Sequence, residues 1–140
     1  MMVAFFRGPG DIFTALIKLV SRGPFSHTEL VFSDGRWIGA SGRGDEKGVR
    51  WAIAPTSLAN WVFVSVPASE EQEREVRRLA ISQIGQPFDV WGVVSHLIPW
   101  TEPHKGFYCT NFIVRLMHAV GLWMNIPVHI TPSDLFRRLQ

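Results

Sequence analysis

The sequence predicts a single α+β domain, spanning residues 1–140, in which a small antiparallel sheet or half-barrel packs against helices. Three observations support this class. The chain has 140 residues, a usual length for one domain with a single core. Hydrophobic residues make up 46% and charged residues 19%, as in folded globular proteins rather than disordered chains. Short strand-like runs fill residues 26–66, whereas the apolar spacing after Pro67 becomes that of helices.

The amino-terminal part of the chain is predicted to contain one strand and one helix. Residues 2–6, with the sequence MVAFF, form the strand, and the Gly- and Pro-rich turn RGPGD follows it. The helix runs from Asp11 to about Val20, and Gly23 with Pro24 ends it. Its apolar stripe is expected to comprise Ile12, Leu16 and Val20, with Ala15 and Leu19 beside it.

Four strand-like runs occupy the middle of the chain, with the sequences SHTELVF, RWIGAS, VRWAIA and WVFVSV. The tripeptide SDG separates the first two runs and indicates a hairpin, because Asp-Gly tolerates the positive φ that tight turns require. The Gly-rich and charged segment GRGDEKG separates the second and third runs and is predicted to be a loop. Together these runs predict the antiparallel sheet.

The carboxyl-terminal half is predicted to be mostly helical. Ser69 and Gln72 have capping-box spacing at the start of an amphipathic helix that ends at Gly85. The segment QPFDVWGVVSHLIPW is expected to hold a short helix, and TEPHKG a loop. A helix then starts at Cys109 and stops at Gly121, and a last helix starts at Thr131.

Charge and composition argue against several function classes. The formal net charge is only +2, although the calculated pI is 9.1, so a strong positive field for binding nucleic acid is not expected. No run approaches the ~18 apolar residues of a membrane span. The early turn residues also disfavour a signal peptide, so we expect the chain to be cytoplasmic when synthesised.

Metal, cofactor and polyanion sites are likewise not predicted. The lone cysteine cannot form an intrachain disulfide or a thiolate-rich zinc site. None of the remaining histidines has metal-pair spacing on one helix face, namely His96, His104, His118 and His129. A set of basic and aromatic residues in the strand region suits a solvated sheet face better than a polyanion groove: Arg36, Trp37, Arg43, Lys47, Arg50 and Trp51.

Cys109 is the candidate nucleophile. It is predicted in the first turn of a helix, where unpaired backbone N–H groups and the positive end of the helix dipole favour a thiolate. The same N–H groups can hold an oxyanion when the thiolate attacks a carbonyl. The alternative is an inert core cysteine, because Cys109 shares an apolar stripe with Phe112, Ile113 and Leu116.

His27 is the best candidate for the general base that a cysteine nucleophile needs. It opens a strand, and a strand end can direct its side chain into a groove beside the cysteine helix. Glu29 lies two residues on and therefore on the same strand face, where its carboxylate can orient the imidazole. The alternatives remain a structural histidine and a solvated glutamate.

The order of three motifs resembles that of circularly permuted papain-like, or NlpC/P60-type, cysteine hydrolases. The motifs are SHTEL at a sheet start, GQPFD before the cysteine, and YCTN at the helix. In that group the histidine strand precedes the cysteine helix. The similarity extends from about Gly8 to Leu135 and is greatest to small members from phages and prophages. It implies a permuted papain-like fold for the whole chain.

The resemblance implies that Cys109 is the nucleophile and His27 the base of a thiol amidase or peptidase without a cofactor. Many members carry a third polar group on the strand after the hairpin, where this chain has Gly39 or Ala40. Glu29 is the preferred substitute and Ser41 the other candidate. Because that usual position looks empty, a weakly catalytic or structural module of a virion or other assembly is the alternative function.

The substrate class also comes from the resemblance. For a phage-associated member it implies peptidoglycan peptides, with lipid or other small amides next, and other virion proteins as partners. A lipid-directed acyltransferase finds no support in a hydrophobic tail or membrane anchor. Four tryptophans are expected to line the substrate groove: Trp37, Trp51, Trp91 and Trp100.

Overall fold

The first strand of the chain is an interior strand of the sheet, with a neighbouring strand on each side. The computed structural model describes residues 1–43, 47–95 and 106–140, and these form an α+β fold with a five-stranded antiparallel sheet. The spatial order is β4-β3-β2-β1-β5. The strands are β1 (Met2–Phe6), β2 (His27–Val31), β3 (Trp37–Ser41), β4 (Gly48–Ala52) and β5 (Trp61–Ser65).

Five helices accompany the sheet in the described residues. They are α1 (Ile12–Ser21), α2 (Glu70–Ser82), α3 (Val90–Val94), α4 (Cys109–Ala119) and α5 (Pro132–Arg138). The predicted helix starts are confirmed at Cys109 and Thr131, which is the N-cap of α5. Residues 44–46 of the predicted GRGDEKG loop and residues 101–105 of the predicted TEPHKG loop lie outside the described residues.

The predicted hairpin and capping box are both present. Gly35 adopts a φ of 83° in the SDG turn between β2 and β3, and its N–H donates to the Phe32 carbonyl at 2.9 Å. At the start of α2, the Ser69 hydroxyl accepts a hydrogen bond from the Gln72 N–H at 3.1 Å. The Gln72 side chain in turn accepts from the Ser69 N–H at 2.9 Å.

The apolar stripe predicted for α1 is wrong. Ile12 and Leu19 are exposed, and the buried positions are Thr14, Ile17 and Ser21. The helix rotates this way because its inner face meets α5, where Arg137 donates a hydrogen bond to the Ser21 carbonyl. Tertiary contact has overridden the hydrophobic pattern.

The main core lies between one face of the sheet and α4. Alternation along the strands directs Val3, Phe5, Leu30 and Ile38 toward this core. Helix α4 is buried along most of its length, and Phe112, Ile113, Val114 and Met117 meet the strands. This packing fixes the amino terminus of α4, with Cys109, beside the start of β2.

Candidate active site

Cys109 is the first residue of α4, as the sequence predicted. Its side chain is only 4% exposed, yet it lines a cavity that also contains His27. Burial raises the pKa of the Cys109 thiol, but a hydrogen bond and the positive charge of His27, together with Thr28, outweigh burial and lower it. The local environment therefore favours the thiolate.

Hydrogen bonding ties the end of the preceding loop to the first turn of α4. The Asn111 side chain is fully buried, and its Oδ1 accepts a hydrogen bond from the Tyr108 N–H at 2.7 Å. Its Nδ2 donates to the Gly106 carbonyl at 3.2 Å. Asn111 thereby fixes the backbone that leads into Cys109, a role that the sequence did not reveal.

His27 joins Cys109 to Glu29. The His27 Nε2 lies 2.6 Å from Glu29 Oε1, which leaves Nδ1 as the ring nitrogen that can exchange a proton with the thiol. Burial lowers the pKa of His27, but the charge of Glu29 and hydrogen bonds to Cys109 and Glu29 raise it to about 9. The pair is thus electrostatically suited to exist as thiolate and imidazolium.

Glu29 is buried, so its interpretation as a solvated strand residue is wrong. Its Oε1 accepts from Arg50 Nη2 at 2.7 Å and its Oε2 from Arg50 Nη1 at 3.0 Å. Burial raises the pKa of Glu29, but the charges and hydrogen bonds of His27 and Arg50 outweigh this and lower it. The carboxylate therefore remains ionised while contacting both cations.

The position that looked empty in the sequence contains the Glu29 carboxylate. Leu30 pairs with Ile38, so Glu29 lies opposite Gly39 one residue earlier, and Gly39 pairs with Arg50. A Cβ at Gly39 would collide with Glu29 Oε2. Because Gly39 has no side chain, Glu29 on β2 reaches over β3 to Arg50 on β4.

Glu29 contacts His27, whereas the Ser41 hydroxyl accepts a hydrogen bond from the Arg43 N–H at 3.2 Å. The space at Gly39, whose missing polar side chain favoured a non-catalytic module, is therefore occupied by the Glu29 carboxylate. Arg50, which the sequence pattern placed on a solvated sheet face, instead binds Glu29 at the site.

The expected tryptophan groove is only partly correct. Trp37 lines the cavity, but Trp51 lies on the other side of its strand, under the Arg36 guanidinium at 3.7 Å. Trp91 is largely exposed and Trp100 lies outside the described residues. Trp61, which was not singled out, lines the cavity and contacts the His27 ring edge-on at 6.4 Å.

In residues 1–43, 47–95 and 106–140, no cluster of three or more His, Cys, Asp or Glu side chains is placed to hold a metal ion. His118 and His129 contact the Trp123 carbonyl and the Tyr108 hydroxyl, respectively, while His96 and His104 lie outside these ranges. No helix in the same ranges has the length and apolarity to cross a membrane.

Neither the protein-family models nor the curated proteins include a match to this chain.

Proposed function

We propose that this protein is a cysteine-dependent amidase or peptidase with Cys109 as nucleophile, His27 as acid and base, and Glu29 as orienting group. The observation that carries the proposal is the continuous chain from Cys109 through His27 to Glu29, beside an open cavity. A nucleophile, a base and a group that orients the base form the usual constellation of thiol hydrolases.

The fold contributes to the proposal through the order of its elements. The histidine strand β2 precedes the cysteine helix α4, and an antiparallel sheet packs on that helix. This is the order expected of a circularly permuted papain-like hydrolase, as the motifs SHTEL, GQPFD and YCTN imply. We propose that architecture for the chain.

In the acylation step, the Cys109 thiolate attacks the carbonyl carbon of an amide, and a C–S bond forms as the carbonyl electron pair moves to oxygen. The Cys109 N–H, at the start of α4, has no intrahelical partner and is available to the oxyanion. The His27 imidazolium then gives its proton to the leaving nitrogen as the C–N bond breaks. A thioester on Cys109 and a free amine result.

In the deacylation step, neutral His27 takes a proton from water, whose oxygen attacks the thioester carbonyl. This attack gives a tetrahedral intermediate. Its collapse breaks the C–S bond, so the carboxylic acid leaves and Cys109 regains its thiolate. Glu29 stabilises the imidazolium that forms in this step and fixes the ring orientation.

Alkylation of the lone cysteine tests the nucleophile directly. Iodoacetamide should label native Cys109 with a pH midpoint well below the value of about 8.5 for a free thiol. His27→Ala should abolish this low-pH reactivity, and Cys109→Ala should abolish labelling. If native Cys109 reacts only after unfolding, the proposed enzyme function is wrong.

Digestion of cell-wall muropeptides tests the substrate class that the motif resemblance implies. Wild type should release amine groups that Cys109→Ala does not, with circular dichroism showing that both variants are folded. Equal release by the two proteins would remove cell-wall peptides as substrates.

A further inference from the structure

The sheet face that carries His27 and Glu29 is mainly apolar. Strand alternation and register place Phe6 on β1, Trp37 on β3 and Trp61 on β5 on this face. The Trp61 ring lies 5.1 Å from both Phe6 and Trp37, between centroids. An aromatic cluster is thus continuous with the proposed catalytic pair.

This aromatic cluster forms one wall of the cavity that contains Cys109. The cavity has a volume of about 340 Å³, which lies in the range of small-molecule sites. Phe13 and Ile17 of α1 and Phe88 line other parts of it. Ala52, at the end of β4, and Ile53 and Pro55, just after it, extend the apolar surface. Ile53 is 84% exposed, so an aliphatic side chain faces solvent at the cavity.

Among the described residues, the charged side chains that line the cavity are already paired with protein groups. Arg50 contacts Glu29 through two nitrogens. Arg43 lies 3.5 Å from the Asp11 carboxylate and donates to the Thr14 hydroxyl. A substrate carboxylate would have to compete with these interactions, whereas an apolar group would gain contact area without displacing any of them.

We propose that the apolar wall of Phe6, Ile53 and Trp61 is a substrate subsite for a bulky apolar substituent next to the scissile amide. The occupant is an aliphatic chain or an aromatic side chain rather than an anionic one. This inference rests on the proposed thiol chemistry, because the subsite is defined by its position beside Cys109 and His27.

Alkylation by four matched chloroacetamides tests the subsite in the full chain. The probes carry N-methyl, N-octyl, N-phenethyl and N-carboxyethyl groups, and each rate is normalised to that with glutathione. The octyl or phenethyl probe should alkylate Cys109 roughly tenfold to hundredfold faster than the methyl probe, given the usual free energy of burying a large apolar group. The carboxyethyl probe should show no such gain.

The relative rates of the two apolar probes show whether the subsite prefers an aliphatic or an aromatic substituent. A faster octyl probe assigns an aliphatic chain, and a faster phenethyl probe assigns an aromatic side chain. Equal normalised rates for all four probes, or a faster carboxyethyl probe, would overturn the subsite while leaving the nucleophile intact. Failure of even the methyl probe to label native Cys109 would overturn the proposed function, and the subsite with it.

A matched pair of variants locates the effect in the cavity. Ile53→Ser should lower the ratio of apolar to methyl rates at least about threefold, because it removes part of the apolar wall. Ile81→Ser, an exposed isoleucine of α2 that does not line the cavity, should leave the ratio unchanged. An equal ratio in both variants would overturn the assignment to this wall.

Discussion

The Glu29 carboxylate occupies the space that a side chain at Gly39 would fill. Gly39 lies between Glu29 and Arg50 in the register of three neighbouring strands. Strands β2 and β4 are therefore bridged by an ion pair that passes over a residue without a side chain. The proposed orienting group of His27 depends on that glycine as much as on Glu29 itself.

Gly39→Ala should therefore reduce amide hydrolysis and low-pH labelling of Cys109 at least about tenfold. The added methyl group displaces the carboxylate from His27, and loss of the orienting carboxylate from a Ser-His-Asp triad can cost about 10⁴ in rate. Overpacking should also lower the free energy of unfolding by about 1–3 kcal/mol. Labelling rates and denaturant titrations measure the two effects separately.

A double-mutant cycle provides the control for Gly39→Ala. In a Glu29→Ala background the carboxylate is gone, so the added methyl group should have little further effect on the labelling rate. Equal rate losses in both backgrounds would show that Gly39 acts on the site by some route other than Glu29.

Arg50→Gln should make the fold more sensitive to acid. The pKa of Glu29 lies below its usual value of 4.5, so its carboxylate stabilises the fold above that pH and the stabilisation is lost as pH falls through the folded-state pKa. Because Arg50 contributes to lowering this pKa, its removal should move the loss to higher pH. The variant should also lose about 1–3 kcal/mol at pH 7.

Thermal melts between pH 3 and pH 7 measure this shift for Arg50→Gln. Arg78→Gln is the matched control, since Arg78 pairs with Glu75 on the exposed surface of α2, where ion pairs contribute little. Parallel melting profiles for Arg50→Gln and wild type would contradict the buried pairing of Arg50 with Glu29.

Much of the fold followed from local signals in the sequence. Gly35 in the hairpin turn and the Ser69 capping box act within a few residues, so their patterns were sufficient to predict them. The hairpin is also short enough to place Glu29 opposite Gly39 once its turn is known. His27 and Cys109 were predicted individually for the same reason: strand parity and helix position are local properties.

The remaining features depend on contacts between distant segments. Arg50 meets Glu29 only because β3 pairs with β4 in one particular register. The charged segment that connects β3 to β4 contains no turn signal that would specify this register. The inward face of α1 is chosen by packing against α5, against its own apolar pattern. Neither relationship leaves a periodic signal in the sequence.

The pH dependence of hydrolysis should be bell-shaped, with its upper limb near pH 9. The pKa of His27 is raised to about 9, so the imidazolium that protonates the leaving amine disappears above this pH. The lower limb lies below the usual thiol pKa, because the pKa of Cys109 is lowered. The apparent pKa values of the two limbs describe the coupled pair of Cys109 and His27 rather than either residue alone.

Glu29→Gln should move the upper limb of that profile to lower pH. The negative charge of Glu29 is the largest influence that raises the His27 pKa, and glutamine keeps the shape of the side chain without the charge. Rate measurements from pH 5 to pH 10 on both proteins give the comparison. An upper limb that stays near pH 9 in the variant would show that another group controls it.

Asn111 should control the reactivity of Cys109 through the backbone. Asn111→Asp retains an acceptor for the Tyr108 N–H but places negative charge two residues from the thiol. Because like charge disfavours the thiolate, the labelling midpoint should shift to higher pH. Asn111→Ala should instead lose about 1–2 kcal/mol of stability with a smaller shift, since the cap is removed without adding charge.

Gln72 is the matched control for Asn111, because it has the same capping position in α2. Its side chain accepts from the Ser69 N–H and donates to the Val120 carbonyl, away from the cavity. Gln72→Ala and Gln72→Glu should affect stability through the cap but leave the Cys109 labelling midpoint at its wild-type pH. If both pairs of variants shift the midpoint equally, global stability rather than the local field of Asn111 sets the reactivity of Cys109.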